Sequence, residues 1–318
     1  MARNVSDELF KRHKNNPIIT SEDLPYKANS VFNAGAIQIN GESLLLLRVE
    51  DMRGHSHLTV ARSKDGVSNW EIDDKPSIAP DPSNYPEDEW GVEDPRITYL
   101  ENLDKYGIVF CSYSKDGPLV SLALTKDFRN FERIGAILKP FDKDAVLFPV
   151  KINNKWALIH RPYPIGDDPG AHAHISYSTD LKTWNNRKVL LRARNGSWWD
   201  ANKIGVNTPP LWTSHGWLIS YHGVRQTCAG CIYRVGLALL DINNPEIVTH
   251  RTDEWVFGPK EDYEMHGDVG NVVFPCGWIR KDDELWMYYG AADTSIGLAI
   301  ANFHELMDYV LQYPVKDR

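Results

Sequence analysis

The chain of 318 residues contains no apolar run of transmembrane length, and its first residues lead into charged residues without the apolar segment of a signal peptide. We therefore expect a cytoplasmic protein without membrane contact. An excess of basic residues is also lacking, since the formal net charge is −8, and this argues against nucleic-acid binding. No linker rich in Pro, Gly or Ser interrupts the sequence, so residues 1–318 are predicted to form a single domain.

Cysteine is scarce, with four residues in the chain, and only Cys228 and Cys231 show the two-residue spacing of metal and redox pairs. No second pair of this kind is present to complete a zinc site, so the sequence predicts no metal centre. We expect free thiols, with a loop disulfide or a metal site as the alternatives.

Long amphipathic helices are equally rare. Ser6 to Asn15 is predicted to form a short helix, because a serine N-cap and acidic residues precede basic ones. It has only two strongly apolar residues, so residues 1–16 are interpreted as an arm that packs on a neighbouring subunit of a homo-oligomer. A second short helix is predicted from His304 to Leu311.

Strand-forming patterns dominate the remaining sequence. Ala36 to Val49 consists of two apolar runs joined by Asn40-Gly41, a strong hairpin signal. An alternating strand followed by a turn or loop then recurs at intervals of roughly 55 to 60 residues, which fits one four-stranded sheet with its loops. The recurring strands begin at Leu58, Val120, His174, Val235 and Ile296.

Five copies of this pattern predict an all-β fold, a five-bladed β-propeller with short N-terminal and C-terminal helices. A blade cannot bury both of its faces alone, so the sheets would stack around a central channel. The alternative is a pair of β-sandwiches, but sandwiches do not require this spacing.

The stretch from Trp90 to Arg96 places two adjacent carboxylates, a proline and an arginine directly before a strand-like run. Because Pro95 restricts the preceding residue to extended conformations, Asp94 is expected at a stiff strand entrance. A catalytic carboxyl group could be held there in one geometry. The structural alternative is a turn closed by Asp-Pro, with Arg96 in a salt bridge.

Charged residues follow several apolar runs that would form the inner strands of such a propeller. These residues are Arg48, Arg161, Lys203, His222 and Asp293. Each has a structural alternative: the arginines could pair with carboxylates, the lysine could be solvated, and the histidine could be a hydrogen-bonded core residue. Several cations that converge on one axis of an acidic protein nevertheless indicate an anion site.

An anion site beside a sugar site suggests one reaction class. Inverting glycoside hydrolysis needs an acid and a second carboxylate that activates water. Phosphate is already an anion, so phosphorolysis needs a cationic clamp instead of a base. One acid with a clamp of Arg, Lys and His is the composition expected of an inverting phosphorylase.

The sequence resembles glycoside hydrolase family 130, the mannoside phosphorylases, from about Asn16 to the last helix. The motifs that carry the resemblance include VFNAGA, LLLLRVED, GVEDPRIT, AVLFPVKI, IHRPYP, NKIGVNTPP, ISYHGV and YYGAADT. The resemblance implies a five-bladed propeller and reversible phosphorolysis of β-mannosides with inversion, giving α-mannose 1-phosphate. It implies no cofactor, because inorganic phosphate is a co-substrate.

The same resemblance implies roles for individual residues. Asp94 would be the general acid, acting through the 3-hydroxyl group of the mannosyl residue at subsite −1. The residues at the phosphate-binding positions would be Arg48, Arg161, Lys203 and His222. Those that hold the −1 mannose would be Asn33, Asp51, Arg96, Tyr289 and Asp293.

The length, the short N-terminal arm and the loop around Arg225 to Tyr233 resemble the subgroup that contains the β-1,2-mannoside enzymes. This resemblance implies β-1,2-mannobiose and longer β-1,2-mannooligosaccharides as substrates. A β-1,4-mannosyl-N-acetylglucosamine phosphorylase is the alternative. Val150 departs from relatives that carry a basic residue there, which leaves the environment of Lys151 open. Two other classes compete with phosphorolysis: a propeller hydrolase with several channel carboxylates, and a non-catalytic glycan-binding propeller.

Overall fold

The computed structural model describes residues 8–164 and 170–315, which form mostly β-strands with very few helices. Hydrogen bonding groups these strands into four sheets, and none of the four closes into a barrel. No helix in the described part of the chain is long and apolar enough to cross a membrane.

The largest sheet contains two antiparallel meanders. Strand β1 (Lys11–Arg12) precedes this sheet in the chain. The strands of the two meanders are β2 (Ser30–Ile39), β3 (Glu42–Glu50), β4 (Ser56–Ser63), β5 (Glu71–Ile72), β6 (Gly91–Leu100), β7 (Lys105–Ser114), β8 (Gly117–Thr125) and β9 (Phe131–Ala136). One parallel bridge, between Ser56 and Gly91, joins β4 to β6 and makes the two meanders one sheet.

The other three sheets are also antiparallel. Their strands are β10 (Asp142–Leu147), β11 (Trp156–Pro162), β12 (Ala173–Ser178) and β13 (Asn185–Leu191) in one sheet; β14 (Lys203–Val206), β15 (Leu211–Thr213), β16 (Gly216–Thr227), β17 (Gly230–Leu240) and β18 (Val248–Arg251) in the next; and β19 (Val273–Lys281), β20 (Glu284–Ala291) and β21 (Ser295–Asn302) in the last. Strand β1 pairs with β21 and completes this last sheet.

The core lies between the sheets. Leu44, Leu45, Leu46 and Leu47 are all buried, although side chains alternate between the two faces of a strand. The even-numbered pair packs in one hydrophobic cluster and the odd-numbered pair in another. An unbroken apolar run therefore marks a strand that is covered on both faces.

The initial strands of the five meanders, β2, β6, β10, β14 and β19, lie close together. Strand β6 contacts β2, β10 and β19, and β10 also contacts β14. Polar groups on these initial strands are therefore brought to one region of the molecule.

The N-terminal helix prediction is wrong for the described residues. Leu9 and Phe10 are buried, and Lys11–Arg12 forms strand β1 on the edge of β21. Tertiary burial of the two apolar residues has overridden the local helix signals. The predicted residues Ser6 and Asp7 lie outside the described part of the chain. The C-terminal helix is confirmed as α2 (Phe303–Val310), while a one-turn helix, α1 (Asp262–Met265), was not predicted.

Candidate functional site

Three of the initial strands carry the same irregularity. The registers of β2, β6 and β10 with their neighbours shift by one residue next to Asn33, Asp94 and Asp144. These residues have φ values of 47°, 50° and 53°, in the left-handed region that Asn and Asp enter more readily than most residues. Each shift is a β-bulge, which re-aims a side chain away from strict alternation. Three short polar side chains thus occupy equivalent positions in successive meanders.

The predicted backbone of Asp94 is wrong. It was expected in an extended conformation at a strand entrance, but it lies within β6 with a positive φ. The ladder pairs Glu93 with Cys111 and Arg96 with Val109, so the bulge falls between these two pairs. A proline is tolerated at a bulge because no ladder N–H is needed from it.

The Asp94 carboxylate is buried and hydrogen-bonded. Its Oδ1 atom accepts from Asn33 Nδ2 at 2.9 Å and from Arg48 Nη1 at 2.9 Å. Burial alone would raise the pKa of Asp94, but the charges of Arg48, Lys143 and Arg96 lower this pKa to about 2. We name Asn33, Arg48 and Asp94 the Asp94 cluster, and its carboxylate is ionised in this arrangement.

A second carboxyl group faces this cluster from the end of β20. Burial raises the pKa of Asp293 to about 7, and the negative charge of Asp94 adds to this shift while Arg48 opposes it. Two neighbouring carboxyl groups whose pKa values are shifted in opposite directions are typical of acid–base sites.

A cavity of about 430 Å³ lies next to the Asp94 cluster. We name it the cationic cavity after the basic side chains that line it, which are Lys143, Arg161, Lys203 and His222. Asp144 lies among them: its Oδ2 atom accepts from Arg161 Nε at 2.7 Å and lies 3.4 Å from His222 Nε2. Burial would raise the pKa of Asp144, but these cations hold that pKa well below its usual range.

The two lysines of the cavity have no carboxylate within ion-pair distance in the described ranges. Lys203 Nζ instead lies 5.2 Å from the ring centre of Tyr233, which also lines the cavity. Burial lowers the pKa of His222 although Asp144 opposes this shift, and its Nδ1 atom lies 2.8 Å from Asn207 Oδ1. The cavity therefore retains unpaired positive charge.

Arg96 connects the two groups of residues. It is buried, it donates from Nη1 to the backbone oxygen of Asp94 at 2.9 Å, and its Nη2 atom lies 3.6 Å from Asp144 Oδ1. Its Nε atom donates to the backbone oxygen of Asn207 at 3.1 Å. The cationic cavity and the Asp94 cluster are thus neighbouring parts of one site.

The structure separates some residues that were predicted to act together. Arg48 bonds to Asp94 and Glu93 and does not line the cationic cavity. Asp51 accepts hydrogen bonds from its own turn and pairs with Arg53 at 2.7 Å. Tyr289 is fully buried and its hydroxyl group donates to Glu264 Oε1 at 2.7 Å, so its contact with substrate stays a prediction.

The sequence analysis missed Lys143, Asp144 and Tyr233. A signal for the first two was present, because a charged residue and an aspartate precede the apolar run of β10 as Glu93 and Asp94 precede that of β6. Tyr233 gave no such signal, since its position depends on how the β16–β17 hairpin folds over β14.

Within residues 8–164 and 170–315, no group of three or more His, Cys, Asp or Glu side chains is arranged to hold a metal ion. Cys228 and Cys231 are exposed free thiols at the tip of the β16–β17 hairpin, as expected.

Comparisons with known proteins identify the family of this chain. The family model of glycoside hydrolase family 130, described as beta-1,4-mannooligosaccharide phosphorylase, matches residues 5–312. The chain belongs to this family, as the sequence motifs predicted.

The chain is similar to several characterised members. It is 33% identical to the beta-1,4-mannooligosaccharide phosphorylase of Ruminococcus albus, over 95% of this chain and 91% of that protein. It is 34% identical to the 1,2-beta-oligomannan phosphorylase of a Thermoanaerobacter species, over 93% and 98%. The solved structure of a Listeria innocua beta-1,2-mannobiose phosphorylase, in complex with beta-1,2-mannobiose, matches with a TM-score of 0.85 and 32% identity, over 95% of this chain and 99% of that one.

Proposed function

We propose that this protein is an inverting glycoside phosphorylase that cleaves β-mannosides with inorganic phosphate and releases α-mannose 1-phosphate. It would thus transfer a hexosyl group to phosphate. The observation that carries the proposal is the cationic cavity beside the buried Asp94, in which neither Lys143 nor Lys203 has a carboxylate within ion-pair distance in the described structure.

The cavity suits a phosphate nucleophile. Asp144 is bonded to Arg161 and lies beside His222, so its single negative charge does not also balance Lys143 and Lys203. The unpaired lysines are available for an anion that brings its own charge, and charge-assisted hydrogen bonds are the strong ones. Bound phosphate is already an anion and needs no general base. This fits the cavity, because its carboxylate, Asp144, is bonded to Arg161 and is not available as a base.

The proton for the departing sugar is assigned to the carboxyl groups around Asp94. Arg48 and Asn33 keep the Asp94 carboxylate ionised, while Asp293 retains a proton up to about neutral pH because its pKa is raised to about 7. Two carboxyl groups that interact in this way titrate as a pair. We propose that the pair shares one proton, which Asp293 holds before the reaction. Asp94 takes up this proton and passes it to a hydroxyl group of the bound mannose, whose own proton moves to the departing oxygen.

The −1 mannose is placed between the Asp94 cluster and Asp293. Asn33 Oδ1 and Arg96 Nη2 are buried atoms without a hydrogen-bond partner in the described structure. The oxygen can accept from a sugar hydroxyl group, and the arginine nitrogen can donate to a sugar hydroxyl group or to the phosphate. Asp51 stays a predicted sugar ligand, at the turn that follows β3.

We favour β-1,2-mannobiose and β-1,2-mannooligosaccharides as substrates, because two of the three relatives described above are named for β-1,2 linkages. The Ruminococcus relative is named for β-1,4-mannooligosaccharides, which makes a β-1,4-mannoside the alternative.

Hydrolysis is the second candidate reaction, because Asp144 is a carboxylate placed beside the site of the nucleophile. A general base must accept a proton near the working pH. Asp144 is poorly suited to this role, since Arg161 and the neighbouring cations hold its pKa well below the usual range. Phosphorolysis is therefore favoured over hydrolysis.

We further propose that the five meanders are the blades of a propeller. Contacts run from β2 to β6, from β7 to β10, from β11 to β14, from β17 to β19 and from β19 back to β2. This cyclic order supports a ring with the candidate site near its axis.

Assembly into a homo-oligomer stays a prediction. The N-terminal arm that suggested it pairs with β21 of its own chain.

The decisive experiment incubates the protein with β-1,2-mannobiose, with and without inorganic phosphate. We expect mannose 1-phosphate to form, with cleavage proportional to phosphate at low concentration. Equal cleavage without phosphate would replace the proposal by hydrolysis. A parallel synthesis from mannose 1-phosphate, with mannose, glucose and N-acetylglucosamine as acceptors, would identify the linkage by NMR.

A further inference from the structure

Two exposed aromatic rings lie at the site end of β6 and β7. Trp90 and Tyr113 are 39% and 38% exposed, and their ring centres are 5.1 Å apart in an edge-on arrangement. Trp90 N also donates to the backbone oxygen of Tyr113 at 2.8 Å. Tyr113 follows Cys111 by two residues on β7, and Cys111 is the ladder partner of Glu93, the residue that precedes Asp94.

The backbone beside this aromatic pair is fixed to the Asp94 cluster. Gly91 has a φ of 131°, and a Cβ atom there would lie 2.7 Å from the backbone nitrogen of Ser56. Only glycine allows this approach, which forms the parallel bridge between the two meanders. The hydroxyl group of Ser56 accepts from Arg48 Nε at 2.9 Å, and Arg48 donates to Asp94. The position of Trp90 is therefore coupled to that of the Asp94 carboxylate.

The geometry of an inverting displacement indicates which part of the substrate lies next to Trp90 and Tyr113. Nucleophile and leaving group lie on opposite faces of the reacting sugar. The groups proposed to bind phosphate come from β10, β11, β14 and β16, whereas Asp94, which would protonate the leaving sugar, lies on β6. The leaving sugar therefore belongs on the side of β6, where Trp90 precedes the strand.

We propose that Trp90, supported by Tyr113, is a binding platform for the leaving-group sugar, the acceptor in the synthetic direction. This inference rests on the proposed phosphorylase activity. An aromatic ring can cover the apolar C–H face of a pyranose, and an indole also carries a hydrogen-bond donor. No residue in the described part of the chain accepts from Trp90 Nε1, so this donor is open to a sugar hydroxyl group.

The opposite end of the same two strands provides an internal control. Tyr99 is also 39% exposed, and its ring centre lies 5.2 Å from that of Tyr106. Its hydroxyl group already donates to Asp104 at 2.8 Å. Tyr99 thus matches Trp90 in exposure and the two pairs match in ring spacing, but Tyr99 lies at the far end of β6 from Asp94.

The kinetic test uses Trp90→Ala and the matched variant Tyr99→Ala in the synthetic direction. Loss of one aromatic platform should raise the KM for the acceptor about tenfold, and the KM for mannose 1-phosphate should stay unchanged. Trp90→Phe should recover most of the acceptor affinity, and Tyr99→Ala should match the parent protein. An unchanged acceptor KM in Trp90→Ala would overturn the proposal, as would an equal loss in both alanine variants.

A binding test keeps the platform separate from catalysis. In protein labelled with ¹⁵N-tryptophan, the indole signal that disappears in folded Trp90→Phe belongs to Trp90. Titration with β-1,2-mannobiose should shift this signal, and no shift at saturating sugar would overturn the proposal even if Trp90→Ala fails to fold. If the signal shifts but phosphate supports no cleavage, the phosphorylase assignment fails while the sugar platform stands.

Discussion

Asp94 and Asp144 occupy equivalent bulges in successive meanders and each pairs with an arginine, but the other charged groups around the two carboxylates differ. Both have a left-handed backbone conformation, with φ values of 50° and 53°. The residue before Asp94 is the acidic Glu93, and the residue before Asp144 is the basic Lys143. The repeated backbone feature thus delivers the same side chain twice, and the neighbouring charges decide what each copy can do.

The difference extends to the groups that face each carboxylate. Asp94 faces Asp293, whose raised pKa of about 7 keeps a proton beside it, whereas Asp144 faces Arg161 and His222. One carboxylate is therefore suited to proton transfer and the other to organising cations for an anion. The same backbone bulge, repeated in two meanders, can therefore place carboxylates with different roles, because the neighbouring charged residues differ.

The largest expected effect follows from Asp94→Asn, which removes the proton donor but keeps a similar side-chain shape. We expect kcat for phosphorolysis to fall about 10²- to 10⁴-fold, with the fold retained. Steady-state kinetics and circular dichroism would measure both. A variant with parental kcat would show that the proton comes from another group.

Asp144→Asn tests the other half of the comparison through stability. The neighbouring buried cations would lose their counter-charge, and the free energy of unfolding should fall by about 3 kcal/mol. Phosphate should then restore more stability than it adds to the parent protein, because an anion that binds only the folded state stabilises it. Thermal unfolding at increasing phosphate concentration measures this difference. Equal phosphate-induced shifts in the two proteins would refute the cavity as the phosphate site.

Lys203→Ala separates phosphate binding from chemistry. Loss of a charge-assisted contact should raise the KM for phosphate about tenfold or more, while the KM for the mannoside stays near its parental value. Lys126→Ala removes an exposed lysine that pairs with Asp104, and it serves as the control. Unchanged phosphate kinetics in Lys203→Ala would remove this residue from the proposed clamp.

The smallest expected effect is a change in pH dependence through Asp293. Its pKa is raised to about 7 in the folded protein, above the value of an unfolded aspartate, so folding favours the protonated form. Its stabilising contribution is complete below about pH 4 and is lost as the pH rises through 7. If the proton is also used in catalysis, kcat/KM should fall above about pH 7, and Asp293→Asn should abolish that limb. An identical basic limb in the variant would assign it to another group.

Much of this organisation could be predicted from local sequence. The recurring strands located the meanders, because alternation and turn signals are local properties of the chain. Asp94 and the cavity residues Arg161, Lys203 and His222 stood out because each adjoins an apolar strand. The side chains of these three do line one cavity in the structure.

Other features depended on contacts between distant segments. Asp144 was overlooked because only pairing of β10 with β11 reveals the bulge that it shares with Asp94. Tyr289 ends an apolar run as Arg161 and His222 do, but its hydroxyl group donates to Glu264 of α1, which the local sequence does not reveal. Lys11–Arg12 has local helix signals, and only the exposed edge of β21 converts it into a strand.

The pairing of β1 with β21 has a consequence for biosynthesis. Strand β1 is synthesised almost 300 residues before β21, the strand with which it pairs. Until then the strand edge that binds Lys11–Arg12 is missing, so Arg12 is not yet held beside Glu264, which is fully buried in the finished protein. The last sheet can therefore assemble only after synthesis of β21, which makes docking of the N-terminal strand a late step in the maturation of this protein.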